Sequence, residues 1–302
     1  QIGSDINGEA ANDNSGWSVS LSADGSTVAI GTPNNDGNGV TSGHVRVYKN
    51  VTNVWTQIGS DINGESVGDG SGWSVSLSAD GSTVAIGAFF NDGNGTDSGH
   101  VRVYKNIADV WTQIGADIDG EAAGNRSGWS VSLSADGSTV AIGAYLNDGN
   151  GTDSGHVRVY KNIADVWTQI GADIDGEAVG DESGYSVSLS TNGSVIAIGA
   201  LSNDENGTDS GHVRVYDLSS VLSLNSFIQS NFSVYPNPTS ERLTIDLENN
   251  LILEKVNIYN TLGQIIKTES NTTIDVSKLQ KGTYFVEVIT NQGKATKSII
   301  VN

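Results

Sequence analysis

The sequence predicts an all-β protein in two parts, a β-propeller of four-stranded blades over residues 1–217 and a small antiparallel β-sandwich over residues 232–302, joined by a linker at 218–231. Three observations predict this fold class. A pattern of 56 residues recurs four times, short alternating segments are bounded by turn residues, and the charge changes sharply near residue 218. No window shows the sustained 3.6-residue apolar period that indicates a helix.

The repeat begins with the string Gln-Ile-Gly-Ser/Ala-Asp-Ile-Asn/Asp-Gly-Glu, at residues 1, 57, 113 and 169. In the second copy, four segments carry the pattern of short strands: residues 73–78, 83–88, 100–104 and 110–114. Because one four-stranded sheet cannot bury both of its faces, we expect the sheets to pack face to face as propeller blades. Trp73 and Trp111 are expected to supply bulk between blades rather than to stack on a ligand.

Two ways of completing the propeller are open at this point. The chain begins with the last residues of an outer strand, Gln1 to Gly3, and the fourth copy ends after its third strand at Tyr216. Pairing of these pieces would close a ring of four blades and leave no exposed sheet edge. The alternative is a larger propeller with further blades upstream, which is favoured because no Val-Trp-Thr precedes Gln1.

Composition and charge exclude several function classes. The chain has no cysteine and 4 histidines, which excludes disulfides, thiol nucleophiles and thiolate metal sites. Its net charge of −20 falls on residues 1–217, which hold 28 acidic and 8 basic residues, whereas residues 218–302 hold 7 of each. Since nucleic acids are bound by Lys and Arg, we expect no nucleic-acid partner. The longest apolar run, residues 195–201, is far shorter than the ~18 residues of a membrane span, so we expect no transmembrane segment.

One recurring group of oxygen-bearing side chains is a candidate calcium site, because it places carboxylates and an amide close together in a glycine-rich loop. The alternative is a solvated turn, since the distant glutamate of an EF-hand loop is absent and the first copy has Asp36, Asn38 and Val40 instead. The candidates are Asp92, Asn94, Asp97, Asp148, Asn150, Asp153, Asp204, Asn206 and Asp209.

A second acidic group, Asp117, Asp119 and Glu121, is predicted to lie in a loop entering the inner strand, with metal binding as the alternative. The histidines occur once per copy at the same strand start, and each is followed by an arginine two residues later. Catalytic histidines need a unique cleft, so we expect these histidines to be structural and the chain to have no catalytic residue. The arginines are expected to pair with loop carboxylates. No cofactor is predicted with certainty, and calcium is a possible one. The histidines and arginines are His44, His100, His156, His212, Arg46, Arg102, Arg158 and Arg214.

The repeats resemble a known family through three segments of each copy. Residues 72–76, Gly-Trp-Ser-Val-Ser, are similar to its Phe-Gly-x-Ser-Val motif, residues 84–88 to its Gly-Ala-Pro strand, and residues 99–104 to its Gly-x-Val-x-Val-Tyr strand. Residues 1–217 thus resemble bacterial FG-GAP repeats, which are related to the integrin α-chain propeller. The integrin-type calcium loop is replaced by residues 79–82, Ala-Asp-Gly-Ser, so calcium is not carried over to that position.

The tail has about seven short strand patterns and predicts an immunoglobulin-like sandwich. It resembles the type A C-terminal sorting domain of the type IX secretion system of Bacteroidetes, although an ordinary terminal sandwich is the alternative. The resemblance implies contact with the secretion machinery and a sortase-like protease, and release or attachment at the outer surface of a Gram-negative bacterium. The residues that carry the motif are Tyr235, Pro236, Asn237, Pro238, Gly263, Gly282 and Tyr284.

The near-identity of the repeats bears on function, because an active site needs different groups at different places. The second and third copies differ at 8 of 56 positions. We therefore predict an exported, non-enzymatic protein that binds or adheres to a glycan or protein ligand, as repeated surfaces suit multivalent contact. The alternatives are a polysaccharide-acting hydrolase or lyase and a purely structural surface component. The repetition is broken at Arg126, Glu182 and Glu205 and at the pairs 89–90, 145–146 and 201–202.

Overall fold

The computed structural model describes residues 1–219, 221, 231–248, 251–261, 263–291 and 293–302. It separates into two compact units, Gln1–Leu218 and Ser219–Asn302. Most of the predicted linker at 218–231 lies outside the described residues, as does Leu262 next to the motif residue Gly263. In the described part of the chain, helices that are long and apolar enough to cross a bilayer are absent.

The first unit consists of four antiparallel sheets, one for each repeat, and this confirms the predicted propeller blades. In the first three blades, four consecutive strands form a meander, and a two-residue strand also pairs with the third strand. The fourth blade has three described strands. The strands are β1 Ser18–Leu21, β2 Thr27–Thr32, β3 His44–Val51, β4 Val54–Gln57, β5 Ile62–Asn63, β6 Ser74–Leu77, β7 Thr83–Ala88, β8 His100–Ile107, β9 Val110–Gln113, β10 Ile118–Asp119, β11 Ser130–Leu133, β12 Thr139–Ala144, β13 His156–Ile163, β14 Val166–Gln169, β15 Ile174–Asp175, β16 Ser183–Leu189, β17 Val195–Ala200 and β18 His212–Asp217.

The third strand of each blade is longer than predicted, and a short strand was missed. β8 continues to Ile107, which pairs with Val110 across a tight turn whose two central residues have positive φ. The segment that the sequence analysis interpreted as a loop contains β10, which pairs with the start of β8. The outer edge of β8 is therefore shared, because β9 covers its second half and β10 covers its beginning.

Adjacent blades pack through apolar faces that interdigitate. Val45 and Val47 of the first blade share a core with Leu77, Val84 and Ile86 of the second, and the second and third blades repeat this arrangement. Burial of each such side chain contributes about 1.5–3 kcal/mol. Serines add polar links between the inner strands. The hydroxyl of Ser74 donates to the carbonyl of Gly128 at 2.8 Å, and the amide of Leu133 donates to the hydroxyl of Ser76 at 2.9 Å.

The series of four blades is open at both ends. Val213 of the fourth blade is 67% exposed, whereas its repeat equivalent Val101 is fully buried against the third blade. At the other end, Leu21 of β1 is 59% exposed. The carbonyl of Ile2 accepts a hydrogen bond from the indole of Trp55 at 2.9 Å, the same contact that Ile58 and Trp111 make between the first two blades, and residues 1–3 do not pair with a described strand of the fourth blade. Ring closure by pairing of the first and last segments is therefore wrong for residues 1–217.

The second unit contains two antiparallel sheets with a common core. Its strands are β19 Phe232–Tyr235, β20 Arg242–Leu247, β21 Leu253–Tyr259, β22 Ile265–Glu269, β23 Thr273–Asp275, β24 Gly282–Thr290 and β25 Gly293–Val301. The sheets have the strand orders β19-β20-β23 and β22-β21-β24-β25. Leu243 and Ile245 of one sheet belong to the same buried cluster as Val286 and Val288 of the other. Classification of this unit as immunoglobulin-like stays a prediction.

Candidate functional site

An aromatic row crosses all four blades. It consists of Trp17, Trp73, Trp129 and Tyr185, which occupy one position of the repeat at the beginning of the innermost strands β1, β6, β11 and β16. The ring centroids of successive members lie 4.5, 4.8 and 5.3 Å apart. The row forms because adjacent inner strands contact each other and so bring equivalent residues together. The signal in the sequence is an aromatic residue at the same position of every copy, of which Trp73 was expected to supply bulk between blades.

The aromatic row packs on a buried phenylalanine and exposes part of its rings to solvent. Phe89 packs between two members of the row, with ring centroids 4.5 Å from Trp73 and 5.0 Å from Trp129, and it is almost completely buried. Trp17 is 52% exposed and Tyr185 is 39% exposed, so the row presents aromatic surface to solvent. The neighbouring Phe90 is 38% exposed. The pair at 89–90, predicted to contact a partner, is thus divided into one core residue and one surface residue.

Arg126 adds a cationic group to this surface. Its guanidinium lies 5.4 Å from the ring centroid of Phe90 and donates a hydrogen bond to the hydroxyl of Tyr145 at 3.0 Å. Its backbone has φ of +56°, in the left-handed region that disfavours side chains with a β-carbon. The equivalent residue in the second blade is Gly70, with φ of +63°. The same position also has positive φ in the first and fourth blades, at Asn14 and Glu182, so this backbone conformation belongs to the recurring turn.

Two clefts of the described chain, of about 280 and 430 Å³, lie away from the row. The first is lined by residues of β10 and the β13–β14 hairpin, including Asp117 and Trp167. The second lies in the fourth blade and is lined by residues that include Glu177 and Glu205. Neither cleft is lined by a member of the row.

The candidate calcium residues stabilise a turn and a junction between blades. The carboxylate of Asp92 accepts a hydrogen bond from the amide of Asp97 at 2.8 Å. The side-chain amide of Asn94 donates to the carbonyls of Gly120 and Glu121, at 2.8 and 3.0 Å. The third blade repeats both contacts, and the fourth repeats the turn contact between Asp204 and Asp209. Calcium binding by these residues stays a prediction.

The histidines lie in a different recurring cluster. The Nδ1 atom of the buried His100 is 3.9 Å from Oε2 of Glu65 and 3.8 Å from Oδ2 of Asp117. The other oxygen of Asp117 accepts a hydrogen bond from the side chain of Gln113 at 2.6 Å. Glu121 faces His156 of the next blade instead. Asp117 and Glu121 therefore lie beside the histidines of adjacent blades, and metal binding by the group of Asp117, Asp119 and Glu121 stays a prediction.

The arginines pair with loop carboxylates as predicted. The guanidinium of Arg102 lies 3.4 Å from Oε1 of Glu65. Burial and then the charge of Arg102 lower the pKa of His100 to about 4, against the opposing effect of Asp117. Burial raises the pKa of Glu65, although Arg102 opposes this effect. His100 is therefore neutral at pH 7 and has two carboxyl groups beside its Nδ1 atom.

The predicted sorting motif lies partly along the terminal strand of the second unit. The side chain of Asn237 donates to the carbonyl of Ser298 at 3.0 Å and accepts from the amide of Ile300 at 2.9 Å, so Pro236 and Pro238 flank a segment attached to β25. Gly282 begins β24, the strand paired with β25, and the hydroxyl of Tyr284 donates to the carbonyl of Gln280. Tyr235 ends β19, and Gly263 lies in a turn with φ of +77°.

Two protein-family models match the chain, and a curated relative matches part of it. Residues 7–48, 63–104 and 117–160 match the FG-GAP repeat, and residues 233–302 match the secretion system C-terminal sorting domain. An ulvan lyase of Nonlabens ulvanivorans, NLR42, is 39% identical over 90 residues, which cover 28% of this chain. The chain spans 17% of the length of that lyase.

Similar solved structures include two enzymes. Kuenenia stuttgartiensis hydrazine synthase is 13% identical, with a TM-score of 0.43 over 99% of this chain and 70% of that one. The periplasmic gluconolactonase of Pseudomonas aeruginosa is 15% identical, with a TM-score of 0.45 over 94% of this chain and 85% of that one. The fold assignment rests on the blades of the chain itself and on the matched repeats. The chain therefore contains FG-GAP repeats in the blades of a β-propeller and a type IX secretion system sorting domain at 233–302, which indicates export to the cell surface or the extracellular space.

Proposed function

We propose that the propeller is a binding module for an extended, uncharged polysaccharide outside the cell, and that the aromatic row is its contact surface. The observation that carries this proposal is the continuity of the row, whose rings lie 4.5–5.3 Å apart across four blades. Sugar rings present flat apolar faces, and exposed aromatic rings offer matching apolar area with little conformational entropy to lose. A ligand with repeated rings contacts several members at once, so weak contacts add up to useful affinity.

The charge of the first unit favours an uncharged polymer over a sulfated or uronic one. Residues 1–217 hold 28 acidic and 8 basic residues, so an anionic chain is repelled over most of the surface. Arg126 lies beside Phe90 and supplies hydrogen-bond donors that sugar hydroxyls accept.

The test is affinity electrophoresis of the full chain in gels that contain a neutral β-glucan, xylan or mannan. The double variant Trp17→Ala/Tyr185→Ala removes the two exposed ends of the row, and we expect retardation constants two- to tenfold weaker, as loss of about 0.5–1.5 kcal/mol implies. The control is Trp55→Ala, which deletes an equally large side chain from β4 of the first blade. Absence of retardation by every neutral polysaccharide, or an equal loss in the control, overturns the proposal.

A second candidate function is cleavage of an anionic polysaccharide, and the 39% identity to an ulvan lyase over 90 residues favours it. This candidate predicts that the chain releases unsaturated oligosaccharides from ulvan, which ultraviolet absorbance detects. It also predicts retardation by ulvan rather than by neutral polymers. Retardation by neutral polymers without product release from ulvan decides between the two functions in favour of binding.

A further inference from the structure

Three blades contain the same arrangement of one histidine and two carboxylates. In each, a histidine Nδ1 lies 3.8–3.9 Å from a glutamate oxygen and 3.8–3.9 Å from an aspartate oxygen. The three potential ligand atoms of each cluster all lie within 4.8 Å of one another. The clusters are Glu9, His44 and Asp61 in the first blade, Glu65, His100 and Asp117 in the second, and Glu121, His156 and Asp173 in the third.

The histidine of the second cluster has no hydrogen-bond partner. His100 is 1% exposed, and neither of its ring nitrogens makes a hydrogen bond. A buried polar atom without a partner costs about 1–3 kcal/mol. Its Nδ1 atom faces the oxygens of Glu65 and Asp117 at distances too long for hydrogen bonds but suited to ligands on either side of an ion. This buried, unpartnered nitrogen points to a ligand between the three side chains.

We propose that each Glu–His–Asp cluster binds one divalent transition-metal cation of the zinc type. Imidazole nitrogen together with carboxylate oxygen suits zinc, whereas calcium is bound by oxygen ligands alone. Zinc bonds of ~2.0–2.2 Å place tetrahedral ligand atoms about 3.4 Å apart. The distances of 3.8–3.9 Å from each histidine Nδ1 to its carboxylate oxygens therefore shorten on binding, and the two carboxylate oxygens, which lie within 4.8 Å of each other, also approach. The 42% exposure of Glu65 leaves its side chain free to make this movement.

The surrounding residues orient the proposed ligands. Gln113 donates to the oxygen of Asp117 that faces away from His100, and Arg102 pairs with the oxygen of Glu65 that faces away from His100. Such outer contacts fix ligand direction in metal sites. Glu65 precedes the blade, His100 begins β8, and Asp117 follows β9. An ion at this position therefore connects the segments that enter and leave one blade.

The fourth blade has a variant of the cluster. His212 lies 3.7 Å from Glu177, and the third member is Glu205, which replaces the glycine found at this position in the other repeats. The side chain of His212 is 16% exposed, compared with 1% for His100. Because a more exposed cluster excludes water less well, we expect this site to bind the cation more weakly than the other three.

The test is zinc binding by the full chain, produced without a histidine tag and stripped of metal with a chelator. Equilibrium dialysis followed by metal analysis is expected to give three tightly bound Zn²⁺ ions per chain and a weaker fourth. Asp117→Asn and Glu65→Gln are each expected to lower the number of tight sites to two. The matched control is Asp148→Asn, which removes the same charge from an acidic turn and leaves three tight sites.

Thermal denaturation with and without Zn²⁺ provides a second readout, and we expect the cation to raise the Tm of the wild type more than that of Asp117→Asn. Three results overturn the proposal. They are absence of bound Zn²⁺ after dialysis, an unchanged number of sites in both cluster variants, and an equal loss of sites in Asp148→Asn. Displacement of bound Zn²⁺ by equimolar Ca²⁺ also contradicts it, because this outcome indicates an oxygen-only site.

Discussion

Gly87 in β7 of the second blade lies directly against the carbonyl of Gly128 in the third blade, and a β-carbon at Gly87 would stand 2.1 Å from that oxygen. The first and third blades approach their neighbours in the same way, through Gly31 and Gly143. Gly199 of the fourth blade has no such neighbour, and a β-carbon there would first meet the side-chain hydroxyl of Ser186. Close contact between inner edges of adjacent blades thus depends on glycine.

We expect Gly87→Ala to lower the free energy of unfolding by about 1–3 kcal/mol, because the new methyl group must displace the backbone of the next blade. The measurement is urea denaturation followed by tryptophan fluorescence. All 6 tryptophans lie in residues 1–217, so this signal reports the propeller alone. Gly199→Ala is the control and is expected to cost less, since a serine side chain can rotate away. Equal losses in the two variants contradict this explanation.

The turn between the first two strands of a blade predicts a dependence of stability on pH. The hydroxyl of Ser22 and the amide of Ser26 donate to Asp24, and these hydrogen bonds lower the pKa of Asp24 to about 2. Since this pKa is below that of the unfolded chain, the ionised carboxylate stabilises the fold above about pH 4, and the effect is lost as the pH falls towards 2.

Asp24→Asn is therefore expected to lower the Tm at neutral pH and to differ less from the wild type as the pH falls from about 4 towards 2. The fourth blade carries Asn192 at this position, so the substitution fits the turn. Asp165→Asn, in the β13–β14 hairpin turn, removes the same charge as a control. A constant Tm difference for Asp24→Asn across this pH range excludes the proposed role of the carboxylate.

Arg126→Gly tests whether the guanidinium of Arg126 contributes to polysaccharide binding. The substitution relieves the positive φ but removes the hydrogen bond to Tyr145, so we expect the free energy of unfolding to stay within about 1 kcal/mol of the wild type. Retardation by neutral polysaccharide is expected to weaken about two- to tenfold, because the guanidinium beside Phe90 is lost. Arg102→Lys, which lies in a histidine cluster, serves as the comparison. If Arg126→Gly binds neutral polysaccharide as tightly as the wild type does, Arg126 is not part of the binding surface.

Glu287 holds a buried polar network in the sorting domain. Its carboxylate accepts from Asn257 at 2.9 Å and from the hydroxyl of Tyr259 at 2.8 Å, and it pairs with Lys294 at 3.0 Å. Burial raises its pKa, but the hydrogen bonds from these three side chains outweigh burial and lower it below the ordinary value.

Glu287→Ala leaves the amide of Asn257 buried without this acceptor, and we expect a loss of about 1–3 kcal/mol. Far-ultraviolet circular dichroism reports both units, whereas tryptophan fluorescence reports only the propeller. The variant is expected to shift the unfolding transition seen by circular dichroism and to leave the fluorescence transition unchanged. A shift of both signals means that the two units do not unfold independently.

Asn237 links the predicted sorting motif to the terminal strand, and Asn237→Ala removes both hydrogen bonds to β25. In a bacterium with a type IX secretion system, we expect the variant to accumulate inside the cell while the wild type reaches the surface or the medium. The measurement is immunoblotting of cell and medium fractions. Asn271→Ala, in an exposed turn of the same domain, is the control. Normal export of Asn237→Ala contradicts the prediction, because it means that the secretion system recognises the domain without these two hydrogen bonds.

The sequence by itself determined the modules of this protein. The 56-residue period, the strand alternation and the turn residues at Asp-Gly and Asn-Gly are local patterns, so they predicted the blades with bounds within three residues in the second copy. The motifs of the tail likewise predicted the sorting domain, which the family match confirms. The blades and the sorting domain could both be predicted, because each of these patterns depends only on residues that are neighbours within one segment.

Only the tertiary structure decided which modules share a site. Trp17 and Trp73 are 56 residues apart and contact each other, whereas Asp117 and Glu121 are four residues apart and belong to different clusters. It also decided that the fourth blade leaves Val213 exposed instead of closing a ring. The physical reason is that contacts between blades depend on how apolar faces stack and how closely glycine edges approach, and a one-dimensional repeat specifies neither.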